Sequence, residues 1–102
     1  MAFGKAGPLY TQSVTGTAGK IGSANIPENA RYAEGYVRTA SVVEIRDDAT
    51  TPTATLGTQW DAGDMILCRS KEEIEGINLV RQGATSASID WQFFTGQPGV
   101  EW

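Results

Sequence analysis

The amino-acid sequence predicts a single all-β domain, either an antiparallel β-sandwich or a small barrel of about seven short strands. First, apolar and polar residues alternate from residue 86 to 94, with Ala87, Ile89, Trp91 and Phe93 on one face, which is a period that a helix does not produce. Second, turn formers, including many of the 12 glycines, separate short strand-like runs. Third, 102 residues are enough for one core and leave no room for a second domain.

Seven segments have the composition or alternation of strands. They span residues 9–15, 20–26, 32–38, 41–46, 64–69, 77–81 and 86–94. In the fourth segment Val43 and Ile45 share one face, while Glu44 and Arg46 share the other. The stretch 47–57 has no period and carries a proline, so we expect a loop or an irregular edge there. The short connections favour antiparallel pairing.

One short helical turn is predicted near residues 71–76. Ser70 followed by Glu73 matches a capping box, in which each side chain binds a free backbone N–H of the first turn. Gly76 limits the helix to a single turn. Residues 1–8 and 96–102 contain glycine and proline without periodicity, so the sandwich is expected at 9–95, between an extended N-terminal arm and an irregular tail.

Composition argues against several functions. The net charge is −4 and the basic residues are scattered, so a nucleic-acid partner is not expected. No segment approaches the ~20 apolar residues of a membrane span, and the first residues do not resemble a signal peptide, which predicts synthesis in a cytoplasm. The single cysteine, Cys68, lies in an apolar run, where a thiol behaves as a small buried hydrophobe.

The chain contains no histidine, which is the commonest general base and metal ligand. Its aspartates at turns, Asp47, Asp48, Asp61 and Asp64, allow a calcium site or an acid–base pair. The simpler interpretation is that aspartates at turns accept hydrogen bonds from nearby backbone amides, and the sequence favours it. We therefore expect no enzymatic activity, no cofactor and no metal.

Aromatic side chains outside the predicted core are the candidate contacts with a partner or a second subunit. Trp60 is predicted in a turn, and Phe94 is predicted to face outward. The arms could dock on a neighbouring subunit through their aromatic residues, or they could be disordered. The predicted interface residues are Phe3, Tyr10, Tyr32, Tyr36, Trp60, Phe94 and Trp102.

The segments 47–57 (DDATTPTATLG), 62–64 (AGD), 73–74 and 81–87 (RQGATSA), together with the closing strand, carry a resemblance to a known group of proteins. The chain resembles small accessory virion proteins of tailed bacteriophages, such as capsid decoration (cement) proteins. Ala49 stands where that pattern usually has glycine. The resemblance implies a virion protein made in the host cytoplasm. It also implies binding to the outer surface of the major capsid protein, or to other virion proteins, as a symmetric homo-oligomer.

Three alternatives stay open. The chain could be a structural protein of the head–tail junction or the tail. It could be a carbohydrate-binding sandwich that uses Trp60, Tyr32 or Tyr36 as a stacking platform for a glycan. An enzyme that uses only carboxylates is the third alternative, and few residues are available to supply acid–base catalysis.

Overall fold

Two four-stranded antiparallel sheets pack face to face in the computed structural model, which describes residues 4–46 and 49–96. The strands are β1 (Tyr10–Val14), β2 (Gly19–Lys20), β3 (Tyr32–Arg38), β4 (Val42–Ile45), β5 (Thr58–Trp60), β6 (Met65–Cys68), β7 (Asn78–Arg81) and β8 (Ala87–Phe94). The β8 sheet has the order β1-β8-β3-β6, and the β4 sheet has the order β2-β7-β4-β5. The predicted all-β antiparallel fold is confirmed, as a sandwich.

The centre of the core is the pair formed by β3 and β8. The alternation predicted for β8 is confirmed, because Ile89, Trp91 and Phe93 are fully buried. Trp91 lies opposite Gly35 in the strand register, and a Cβ added to Gly35 would come within 2.7 Å of the indole ring. The indole N–H donates to the Gln12 side-chain oxygen at 2.9 Å. This buried polar group is therefore satisfied.

Two local predictions were wrong. Of the strand predicted at 20–26, only Lys20 lies in a strand, as the last residue of β2, and a 3-10 turn follows at Ser23–Asn25. Gly22 has a φ of +91°, which bends the chain out of strand geometry before that turn. Trp60, predicted in a turn, instead ends β5, which pairs with β4 through Val42.

The two faces of β4 are divided as predicted, but the tertiary structure decides which one meets the core. Val42 belongs to the core cluster, and Glu44 on the same face is buried, with 5% of its surface exposed. Val43 and Ile45 share the opposite face. The segment before β5 covers them, since a Cβ at Gly57 would lie 2.7 Å from Val43 and 3.1 Å from Ile45.

The predicted helical turn is confirmed as α1 (Lys71–Gly76). Ser70 Oγ accepts a hydrogen bond from the Glu73 N–H at 3.1 Å. The Glu73 carboxylate binds the backbone N–H of Arg69 at 2.9 Å, one residue earlier than in the usual capping box. Ile74 is fully buried and anchors this turn to the core.

Candidate interaction surface

The aromatic residues predicted at an interface do not form one continuous surface. Tyr36 is 46% exposed. Tyr10 and Trp60 are half-buried and pack against the core. Phe3 and Trp102 lie outside the described residues. Among the predicted residues that the structure describes, Tyr36 therefore offers the most surface to a partner.

Phe94 and Tyr32 are buried, which corrects the expectation that they face a partner. Phe94 is 8% exposed and Tyr32 is 4% exposed. Their rings lie side by side, with centroids 5.8 Å apart, and Lys5 forms a β-bridge to Phe94. Burial, together with the nearby Glu34 carboxylate, raises the pKa of Tyr32 above its ordinary value. The pair closes the end of the β8 sheet and is not an open contact site.

An apolar patch lies on the outer face of the β8 sheet, where β6 forms one edge. Tyr36 stands directly opposite Met65 in the register, and Leu67 is the next residue of β6 on the same face. Met65 and Leu67 are half-buried. We call Tyr36, Met65 and Leu67 the β6 patch. Side chains alternate between the two faces of a strand, and Ile66 and Cys68 take the core face of β6. The sequence of β6 could therefore have shown that Met65 and Leu67 lie on the outer face.

A cleft of about 370 Å³ opens beside the β6 patch, between the edges of the two sheets. Its lining residues are Arg46, Trp60, Met65, Leu67, Arg69 and Glu73. The edge of β6 therefore borders open space.

An ion-pair network holds the cleft wall in place. Arg46 Nε donates to Glu44 Oε1 at 3.1 Å, and Arg46 Nη1 donates to Glu73 Oε1 at 2.7 Å. The Trp60 indole N–H also donates to Glu44 Oε1, at 3.2 Å. The buried carboxylate of Glu44 is thus paired and hydrogen-bonded, as burial of a charge requires. The network ties β4, β5 and α1 together and fixes the Trp60 ring.

Of the two aspartates at the turn before β6, only Asp64 accepts from a backbone amide, as the simpler interpretation predicted, whereas the Asp61 carboxylate accepts from two side chains. Asp64 Oδ2 accepts from the Asp61 N–H at 2.8 Å. Asp61 Oδ1 accepts from Gln59 at 3.0 Å and from Ser41 at 2.9 Å. These two hydrogen bonds hold the pKa of Asp61 below its ordinary value. Asp47 and Asp48, the remaining predicted pair, lie outside the described residues.

Cys68 is fully buried on the core face of β6, as expected for a structural thiol. Burial raises its pKa to about 12, so the reactive thiolate is disfavoured at neutral pH. Across residues 4–46 and 49–96, no three side chains of histidine, cysteine, aspartate or glutamate come together in a way that could hold a metal ion.

No protein-family model, curated protein or solved structure matches this chain. Within the described parts of the chain, no helix has the length and apolar character needed to cross a bilayer.

Proposed function

We propose that this chain is a non-catalytic assembly protein, a capsid decoration (cement) protein of a tailed bacteriophage. It binds the outer capsid surface and stabilises the shell through symmetric self-association. The observation that supports this proposal is the β6 patch, an apolar surface at the open edge of a small sandwich. Exposed apolar surface next to a sheet edge is typical of contacts between proteins.

Four carboxylates and the single thiol of the described structure are engaged in structural contacts. Glu44 and Glu73 are paired with Arg46, the carboxylates of Asp61 and Asp64 hold a turn, and the Cys68 thiol is buried. Binding through a surface is the activity that this arrangement favours.

Co-sedimentation with capsids that lack decoration tests the proposal. We expect the wild-type chain to pellet with the capsids and to raise the temperature at which they disassemble, because binding stabilises the bound state by mass action. Tyr36→Ser removes the exposed ring of the β6 patch and should weaken pelleting. Leu56→Ser is the matched control, since Leu56 is 51% exposed but lies outside the patch.

A wild-type chain that never pellets with virion particles contradicts the proposal. Pelleting with isolated tails or head–tail connectors, and not with capsids, assigns the chain to those structures instead.

A glycan-binding module is the second candidate, and the position of Trp60 in the cleft wall beside Arg46 and Glu73 favours it. Aromatic faces flanked by hydrogen-bonding groups suit sugar rings. Tyr32 is buried and drops out of the stacking platform. Quenching of tryptophan fluorescence by a sugar, lost in Trp60→Ala, supports this candidate. No change across a broad glycan panel removes it.

A further inference from the structure

The free edge of β6 carries backbone groups without partners in the described structure. β6 pairs with β3 alone among the described strands. The Val37 N–H donates to the Asp64 carbonyl at 3.0 Å, and the Val37 carbonyl accepts from the Gly63 N–H at 2.8 Å. Both backbone groups of Val37 therefore point to the β6 side, which places Val37 and Asp64 at the position of a hydrogen-bonded pair in the ladder. Because such pairs alternate along an antiparallel ladder, Ile66 is also bonded to β3, and the N–H and C=O groups of Met65 and Leu67 point away from it. No described residue binds those groups.

This edge differs from the other three in the described sandwich. β2 has two residues and β5 has three. β1 turns polar side chains, Thr11 and Ser13, to the outer face. Proteins usually protect a free edge with a charge, a proline or a very short strand. β6 has no charge or proline, and both of its outer side chains are apolar.

The charges at the two ends of β6 indicate what pairs with it. The turn before β6 carries Asp61 and Asp64, and Arg69 follows β6 directly; all three are exposed. The Arg69 guanidinium has no ion pair with a described carboxylate. When two copies of β6 pair antiparallel about a two-fold axis, the acidic turn of each copy meets Arg69 of the other. A parallel arrangement would instead align like charges.

We propose that two copies of this chain associate by antiparallel pairing of β6 with β6, which joins their β8 sheets into one continuous eight-stranded sheet. The backbone groups of Met65 and Leu67 in each copy then bind those of the other. The two β6 patches merge into one apolar surface across the dimer axis. A two-fold contact of this kind uses the same surface on both copies and closes without forming fibres. The inference rests on the proposed function, because it specifies the self-association that the function includes.

Sedimentation equilibrium together with amide hydrogen exchange tests the pairing. We expect the wild-type chain to have twice the monomer mass, and the amides of Met65 and Leu67 to exchange more slowly as protein concentration rises. Leu67→Pro removes an outward N–H donor without removing a hydrogen bond to β3, because proline is tolerated on an edge strand whose N–H faces outward. This variant should be monomeric.

A charge reversal provides a second test that does not depend on a proline in a strand. Arg69→Glu replaces both attractions across the dimer with repulsions and should weaken dimerisation by about tenfold or more at low salt. High salt should reduce this difference. Lys20→Glu is the matched control, because it makes the same change in net charge at an exposed residue of β2, in the other sheet. It should dimerise like the wild-type chain.

Three outcomes overturn the inference. One is a wild-type chain that stays monomeric at all concentrations. Another is a dimer in which the Leu67 amide exchanges freely, or one whose dissociation constant is unchanged by Arg69→Glu. The third is protection of Leu67 only when capsids are added, which would assign the edge to a strand of a capsid protein. A monomer that still pellets with capsids overturns the pairing and the proposed self-association but not capsid binding, whereas a dimer that never pellets overturns capsid binding alone.

Discussion

Gly35 faces Trp91 across the β3–β8 pair, and the substitution Gly35→Ala tests whether this close approach sets the packing of the core. The added Cβ would lie 2.7 Å from two atoms of the indole ring and 2.8 Å from Ile89 Cγ2. Carbon atoms in contact prefer about 3.5–4.0 Å. Because Trp91 and Ile89 are both fully buried, neither can move away without displacing other core side chains.

Two opposing terms decide the free energy of unfolding of this variant. Replacing glycine by alanine restricts the unfolded chain, which by itself stabilises the fold by about 0.4–1 kcal/mol. Overpacking a core costs about 1–3 kcal/mol, and we expect it to outweigh that gain here. For a domain of this size, each kcal/mol lowers Tm by about 4–8 °C. Urea and thermal denaturation, followed by far-UV circular dichroism, measure the change.

Gly19→Ala is the matched control, because Gly19 also lies in a strand and no atom would come within 4 Å of its added Cβ. This variant should be as stable as the wild-type chain or more stable by up to about 1 kcal/mol. A Gly35→Ala protein that is more stable than the wild type would refute the packing argument, because the unfolded-state gain would then have outweighed any overpacking.

Three further perturbations probe single groups. Gln12→Leu leaves the buried Trp91 N–H without its acceptor, so urea denaturation should show a loss of about 1–3 kcal/mol. Burial raises the pKa of Cys68 from 9.0 to about 12, so the stability present below pH 9 should fall as the pH rises toward 12, and Cys68→Ala should flatten that slope. Ser70→Ala removes the acceptor for the Glu73 N–H and should cost about 1 kcal/mol in thermal denaturation.

Each of these perturbations has its own control. Gln82→Leu makes the same change at an exposed glutamine, and an equal loss there would contradict the role given to the buried hydrogen bond. Ser13→Ala is the control for Ser70→Ala, because Ser13 is exposed on β1. An equal loss of stability there would contradict the role given to the N-cap hydrogen bond. For Cys68, labelling by a thiol reagent as fast in the folded protein as in urea would contradict its burial.

Of the three residues of the β6 patch, only Tyr36 could be predicted from the sequence as a contact residue. Tyr36 was predicted from its place on a mixed face of β3, and it is exposed. Met65 and Leu67 were not, because an apolar run shows that a strand is present and does not show what lies beyond its edge. Phe94 was placed on the correct face, but it is buried by contacts that come from distant parts of the chain.

The sequence by itself determined the local features of this protein. The alternation of β8 and the capping box at Ser70 depend on residues a few positions apart, so propensity and spacing are enough to predict them. Only the tertiary structure decided that Glu44 takes the core side of β4 and that β6 has a free edge. Both outcomes depend on which strands become neighbours, and that depends on the packing of the whole sandwich rather than on any local pattern.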